Sequence, residues 1–378
     1  MTTANLSRRK LIYLADMRLP TDWAHGIQIM KMCEAFAQTG IEVELVVPRR
    51  FNKIKENPFQ YYNIRRKFKI TKLPCIDLMP LSASKLIFLL EKLSFLVAAK
   101  FFLSLKKFNI LYTREPLAGL FWKNFILEAH VLPKRIKSIN LYFWQRAKAL
   151  VVLTNFIKDK MTAIGVTAEK ILVAPDGVDV ADFNLPLSPA QARQAIGLPA
   201  DKKLVIYSGS FSLYSWKGVD VLLEAAHYLP DNAIVVLVGG SEAEVQSIKS
   251  KITTDNVLLV GRQPYAKISY YLAAADVLVL PNKAGDIMSE QYTSPLKMFE
   301  YMASGRPIVA SDLAGLREIL NEENAVLVTP NNSRHLADGL NKVLTDSGLA
   351  AALSNQAQKD VKQYSWEKRV KAILNFIG

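Results

Sequence analysis

The chain opens with a short apolar run, KLIYLA at 10–15, and a polar loop to Gly26. Ile27, Met30, Cys33, Phe36 and Ala37 follow at helical spacing, so a strand, a loop and a helix closed by Gly40 are predicted. Residues 41–48 return to a strand pattern, and a β-α-β opening implies parallel strands joined by a right-handed crossover. Further strands are predicted at 110–113, 124–128 and 149–153. The pattern stops at Pro175-Asp176-Gly177, and a proline-rich stretch through Pro199 reads as a hinge. Beyond it, strands are predicted at 204–208, 233–238, 257–260, 277–280, 308–310 and 325–328, with helical patterns between them. The fold class is therefore α/β, with two Rossmann-like doubly wound domains facing each other across a cleft. Residues 1–180 and 200–360 form the two domains, and a C-terminal helix, 362–378, packs back on the first. Ligands of such sheets sit beyond the carboxyl ends of the strands, where Ser208-Gly209-Ser210, Gly239-Gly240 and Gly261-Arg262 occur.

One stretch carries more chemistry than the rest. In SPLKMFEYMASGRPIVASD, residues 294–312, Ser294 suits an N-cap, Pro295 the first helical position, and Gly305 with Pro307 the stop. Lys297 is the misfit, because a cation in the first turn opposes the helix dipole unless an anion occupies the same place. Glu300, one turn on, suits the hydroxyls of a sugar diol. Phosphate and diol together point to a nucleotide ribose or a glycoside; the alternative is a solvated i,i+3 Lys/Glu pair. Lys217-Gly218 ends the loop after strand 204–208, where its ammonium meets the same phosphate or remains a loop lysine in water.

Composition narrows the choice. The 378 residues are 50% hydrophobic, enough for two cores, and the two cysteines and four histidines show no metal-ligand spacing, so no metal site is expected. No run of eighteen apolar residues and no leader pattern occurs, which leads to the expectation of a cytoplasmic protein without a transmembrane helix. The net charge of +14 is uneven: residues 1–175 hold 29 Lys and Arg against 12 Asp and Glu, and the remainder hold 19 against 22. Such an excess suits an anionic lipid, a nucleic acid or a phosphorylated substrate. Lys85, Lys92, Lys100, Lys106 and Lys107 share one face of a predicted helix, which either lies on a membrane or packs on the core with a solvated lysine stripe. No G-x-G-x-x-G and no GxxxxGK[ST] loop is present, which argues against a standard dinucleotide oxidoreductase or P-loop NTPase.

Three segments, IYSGSFSLYSWKGVDVLLEAA, VLLVGRQPYAKISYYLAAADVLVLP and SPLKMFEYMASGRPIVASDLAGLREIL, together resemble the donor-binding half of the family-four retaining glycosyltransferases, which have the GT-B fold. LADMRLPTDWAHGIQIMKMCEAFAQTGIEVELV and APDGVDVADF resemble that family's opening and inter-domain segments. The resemblance implies transfer of a sugar from a nucleotide diphosphate sugar to a glycan or lipid-linked acceptor, with retained configuration, no obligatory metal and no cofactor beyond the donor. It implies that the second domain holds the nucleotide. Glu300 would bind the ribose hydroxyls, and Lys217, amides around Leu296 and Lys297 the diphosphate. Gly209, Ser210, Gly239, Ser294 and Pro295 would complete the donor site, with Arg262 and Gln263 at the base. His130 would contact the donor sugar, and Gly26 would let substrate approach the first helix. Catalysis would fall to His130, Lys217 and Glu300, and acceptor binding to His25, Gly26, Arg114 and Glu115. The partners implied are the donor, the acceptor and an anionic membrane surface at the inner face, with no nucleic acid.

Two positions depart from the family pattern. Tyr292 stands where the first motif glutamate is usual, with Glu290 two residues off register, and Ser210 stands where many members have an arginine. These departures keep open a non-catalytic nucleotide-sugar binder or membrane scaffold, besides a sugar-nucleotide epimerase of the same architecture. His130 as a buried histidine bonded to backbone and His25 as a helix cap are the structural alternatives for those residues.

Overall fold

The computed structural model describes residues 9–78, 84–133, 135–211 and 215–378; Ser212, Leu213 and Tyr214, inside one of the family-like segments, lie outside that set. The chain divides into two compact units. One comprises the residues up to Ala174 together with Trp366–Gly378, and the other is Pro175–Ser365.

The first unit is built on seven parallel strands, β1 (Lys10–Leu14), β2 (Glu42–Arg49), β3 (Lys69–Pro74), β4 (Ile110–Thr113), β5 (Ile126–Ala129), β6 (Ala149–Val152) and β7 (Ile171–Val173), in the order β3-β2-β1-β4-β5-β6-β7. In the central strands both faces are covered, so β1, β4 and β6 read as continuous apolar runs rather than alternating ones. β5 begins two residues later than the sequence pattern suggests, because Asn124 adopts a left-handed φ of 59° that ends the preceding turn. β3 and β7 were not predicted: β3, KITKLP at a sheet edge, has its two lysines three residues apart rather than at strand spacing, and β7 has three residues. Helix α1 (Ala24–Gln38) crosses between β1 and β2.

In and just beyond helix α2 (Lys85–Ser104), three of the five lysines of the stripe are engaged rather than solvated. Lys92 donates to Glu115 at 2.5 Å, Lys106 beyond the helix to buried Glu44 at 2.7 Å, and Lys100 to the Phe121 carbonyl at 3.2 Å. Phe95, Leu96, Ala99 and Leu103 face the core, while apolar Leu86 and Phe101 are 66% and 71% exposed. Part of the basic excess is therefore spent inside the unit, and it is apolar surface that the helix leaves open. Among the described residues no helix is long and apolar enough to cross a membrane.

The second unit has six parallel strands, β8 (Lys203–Ser208), β9 (Ala233–Val238), β10 (Val257–Gly261), β11 (Val277–Leu280), β12 (Ile308–Ser311) and β13 (Val326–Val328), ordered β10-β9-β8-β11-β12-β13. The order reverses between β8 and β11, the switch point at which doubly wound sheets bind ligands. Helices α3 (Val219–Ala225), α4 (Glu242–Lys249), α5 (Tyr265–Ala274), α6 (Leu296–Ala303) and α7 (Ser333–Thr345) pack on the faces of the sheet. On α6, Met298, Phe299, Tyr301 and Met302 are fully buried, about 1.5–3 kcal/mol each by transfer of apolar surface. That anchoring leaves the other positions of its first turn, Leu296 and Lys297, to the strand ends.

Helix α8 (Trp366–Ile377) belongs to the first unit, where it packs on α1. Tyr364, two residues before it, instead stacks on Phe299 of α6 within the second unit, with ring centroids 5.3 Å apart.

Candidate functional site

The loops leaving β8, β9 and β11 are laced together by their backbones. Gly209 N–H donates to the Val238 carbonyl, Gly240 N–H to that of Gly209, and Gly239 N–H to that of Gly261. Gly218 sits at φ 70°, and a Cβ there would fall 1.7 Å from the Pro281 carbonyl oxygen, so only glycine permits this approach. Lys283 N–H then donates to the Trp216 carbonyl, which fixes the turn presenting Lys217 at the switch point.

Lys217 donates through Nζ to the Ser210 hydroxyl. Burial pulls its amine down to about 8, partly offset by Glu244. Glu244 also braces the loop from behind, accepting from the Phe211 amide at 2.9 Å and the Ser241 amide at 2.8 Å. Thus Ser210, standing where an arginine is usual, is the hydroxyl that orients Lys217.

Lys297 is not a solvated lysine. Its Nζ is buried without a hydrogen-bond partner among the described residues and lies 3.7 Å from the centroid of the Tyr207 ring. Burial and the nearby charge of Lys217 push this amine well below the ordinary lysine range, with Glu300 opposing. Gly209 makes the room: a Cβ there would come within 3.0 Å of Lys297 Nζ. Glu300, 6% exposed, accepts from the Tyr265 hydroxyl at 3.0 Å. Burial raises its carboxyl to about 7 against the pull of Tyr265 and Lys297. The i,i+3 surface pair is therefore excluded. Two depressed amines and one raised carboxyl are thus gathered at the strand ends and the start of α6.

Helix α6 starts one residue later than its sequence suggests. Pro295 is the extended N-cap, and the Ser294 hydroxyl accepts from the Asp176 amide at 3.2 Å rather than capping the helix. Glu290 Oε1 accepts from the Gly285 amide at 2.7 Å, so it braces its own loop, and Tyr292 is buried. Arg262 is exposed and Gln263 half-buried just after β10, where Arg262 borders a hollow of about 610 Å³ with Gly240, Ser241, Val245 and Gln246.

In the first unit a second cluster gathers on Glu128, a buried carboxylate of β5. Glu128 Oε1 accepts from Gln28 at 2.6 Å and Arg369 at 2.9 Å and lies 2.6 Å from His130 Nε2, while Oε2 accepts from Tyr112 at 2.5 Å. Burial pushes this carboxyl up, but Arg369, His130 and Arg114 outweigh it and hold it well below the usual range. His130 is therefore bonded to a carboxylate, which orients its ring.

Arg114 donates to Gln28 at 3.1 Å. His25 is not the cap of α1, which starts after Trp23 without a side-chain cap. Burial, Arg114 and His130 lower its imidazole to about 4, so it is neutral at pH 7. Burial raises the Glu115 carboxyl, although Lys92 pairs with it. Gly26 has a packing reason for lacking a side chain, since a Cβ there would lie 2.3 Å from the Tyr62 hydroxyl. Sequence reasoning missed Glu128, Gln28, Tyr112 and Arg369 here, and Tyr207 and Tyr265 in the second unit. The signal for Glu128 was an acid inside an apolar strand, which only a buried partner can justify.

Residues 190–360 match the family model described as "Glycosyl transferases group 1". D-inositol 3-phosphate glycosyltransferase of Xylanimonas cellulosilytica is 30% identical over 231 residues, covering 58% of this chain and 53% of that protein. The chain thus matches about half the length of this curated relative. Sucrose-phosphate synthase of Thermosynechococcus elongatus superposes with a TM-score of 0.76 at 21% identity, over 97% of this chain and 98% of that one. Anabaena Alr3699/HepE, solved in complex with UDP and glucose, gives a TM-score of 0.76 at 17% identity, over 97% and 99%. These likenesses assign the GT-B fold.

Proposed function

From the match of residues 190–360 to the group 1 glycosyl transferases, we propose that the chain moves a sugar from a nucleotide diphosphate sugar to an acceptor hydroxyl, with the donor held by the second unit. The observation that carries this reading is the pairing of Lys217 and Lys297 beside the first turn of α6, with Glu300 one turn further on. The diphosphate lies against the two amines and the α6 amides, the ribose hydroxyls on Glu300, and the base towards Arg262 and Gln263. Ser294 and Pro295 shape the entry to α6, and Gly239 keeps the strand end open. A donor with UDP is the first to test, since Alr3699/HepE was solved with UDP-glucose.

The chemistry needs a stabilised leaving phosphate and a placed acceptor more than a strong protein base. Lys217 and Lys297 supply positive charge where the departing diphosphate becomes more negative. His130, held by Glu128, acts on the transferred sugar. In retaining transfer the leaving phosphate oxygen takes the acceptor proton as the acceptor oxygen bonds to the anomeric carbon on the same face. His25, Arg114, Glu115 and the segment around Gly26 serve the acceptor, a glycan or lipid-linked sugar of surface polysaccharide or glycolipid assembly. The exposed apolar face of α2 supports peripheral attachment to an anionic membrane at its cytoplasmic side.

Incubation with a panel of UDP- and GDP-sugars and a crude lipid-linked acceptor, read by release of nucleotide and by the anomeric proton of the product, tests the reading. Retained configuration and loss of turnover in Lys217→Ala support it. Tight nucleotide-sugar binding without turnover would favour a non-catalytic binder, and a changed sugar on the recovered donor an epimerase.

A further inference from the structure

Three observations meet at the loop after β8. Lys297 Nζ is buried, makes no hydrogen bond among the described residues, and rests over the Tyr207 ring. Gly209 leaves the space beside it open. Lys217 already donates to Ser210, the residue in the position where an arginine is usual. The groups that act on Lys297 are Lys217, Glu300 and the Tyr207 ring, while Tyr265 is joined to Glu300 and Glu244 acts on Lys217. A buried polar group without a partner is costly, so it persists where a ligand completes it.

We propose that Lys297 is the second cation of the diphosphate site, replacing the guanidinium absent at position 210, and that it enters the complex by taking up a proton from solvent as the nucleotide binds. The inference rests on the reading of the second unit as the nucleotide-sugar site. The amine lone pair accepts the proton, buffer supplies it, and no bond of the nucleotide is made or broken. The direction of the amine's titration supports the order of events: burial and Lys217 disfavour its charge in the empty site, and a dianionic neighbour restores it. Lys217 differs, since at about 8 it is mostly charged at neutral pH before any ligand arrives. The site thus pairs a cation that is mostly present beforehand with one that forms as the nucleotide binds, which spares the empty protein two like charges in a buried space.

Calorimetric titration with UDP, and separately with GDP, near pH 7 in buffers of low and high ionisation enthalpy measures the protons exchanged. The parent protein is expected to take up more protons than Lys297→Arg, whose side chain is charged throughout. Subtracting the variant removes exchange by the nucleotide's own terminal phosphate. Lys297→Met, similar in volume, is expected to bind about tenfold more weakly or worse and to lack the extra uptake. It supplies the comparison should the arginine variant fail to fold. Equal proton counts in the parent and both variants overturn the proposal while leaving the nucleotide site standing. Absence of binding by UDP and GDP in the parent overturns the reading of the site itself.

Discussion

Replacing Arg369 by methionine removes the cation that neutralises Glu128 in the first unit. Arg369 and Glu128 side chains are 2% and 0% exposed and 2.9 Å apart, and Arg369 also donates to the Ala174 carbonyl at 3.3 Å and 3.1 Å. Removing one partner of such a pair costs about 3–5 kcal/mol, because the other charge is left buried alone. Burying the methionine in its place returns about 1.5–3 kcal/mol, so the net loss is on the order of 2 kcal/mol. At about 2–4 °C per kcal/mol for a unit of this size, its transition should fall by about 4–8 °C. The pH dependence fixes the cause. The native state holds the Glu128 carboxyl below its ordinary value of 4.5, so the unfolded chain binds more protons as pH falls through that range. The pair's contribution is therefore full well above pH 4.5 and is lost progressively as pH falls from there towards the much lower native value, so the deficit of Arg369→Met should already begin to shrink at pH 4. Scanning calorimetry at pH 7 and pH 4, on the parent, Arg369→Met, Glu128→Gln and the double variant, measures it. The double variant should be less destabilised than the two singles combined. A shift below about 1 °C at pH 7, or an equal shift at both pH values, would refute the reasoning.

Glu300→Gln should stabilise the empty protein at pH 8, because a carboxyl raised to about 7 costs stability progressively as pH rises from its ordinary 4.5 to about 7, by up to about 3 kcal/mol. The gain should fall to a small remainder at pH 5, where the native carboxyl is protonated and the free one only partly ionised, and thermal shift at both pH values checks it. The same variant should bind nucleotide about tenfold more weakly by calorimetry, and unchanged affinity would remove Glu300 from the site. Gly26→Ala should destabilise by about 1–3 kcal/mol and recover part of that in a Tyr62→Phe background, measured by urea unfolding; no recovery would mean that Tyr62 is not the obstacle. Leu86→Glu with Phe101→Glu should reduce flotation with anionic vesicles while leaving the melting temperature unchanged. Because the lysines of this helix are largely engaged, flotation should depend on salt less than a purely electrostatic contact would.

Much of the second unit was legible because its strands are apolar runs, several of them ended by glycine or serine, and the lysine opposing the dipole of α6 pointed to the cluster of Lys297, Lys217 and Glu300 that the fold brings together. What the sequence hid was long-range pairing. A lysine stripe on α2 looks solvated in a helical wheel, yet Lys92 finds Glu115 and Lys106 finds Glu44, from segments tens of residues away. Glu128 could be seen as an oddity in β5, but its partner Arg369 lies 241 positions along the chain on α8. Ser294 looked like a cap because capping is a local rule, whereas its hydroxyl serves the Asp176 amide. Strand β3 was missed for a related reason, since its lysines are spaced as on a loop while one of them, Lys69, lies 3.6 Å from Glu44.

The most direct test is a crystal of the protein grown with UDP or GDP. The diphosphate should lie at the first turn of α6 within hydrogen-bond distance of both Lys217 Nζ and Lys297 Nζ, with the ribose hydroxyls on Glu300. A nucleotide bound elsewhere, with the Lys297 amine still over the Tyr207 ring and touching no phosphate, would contradict the account.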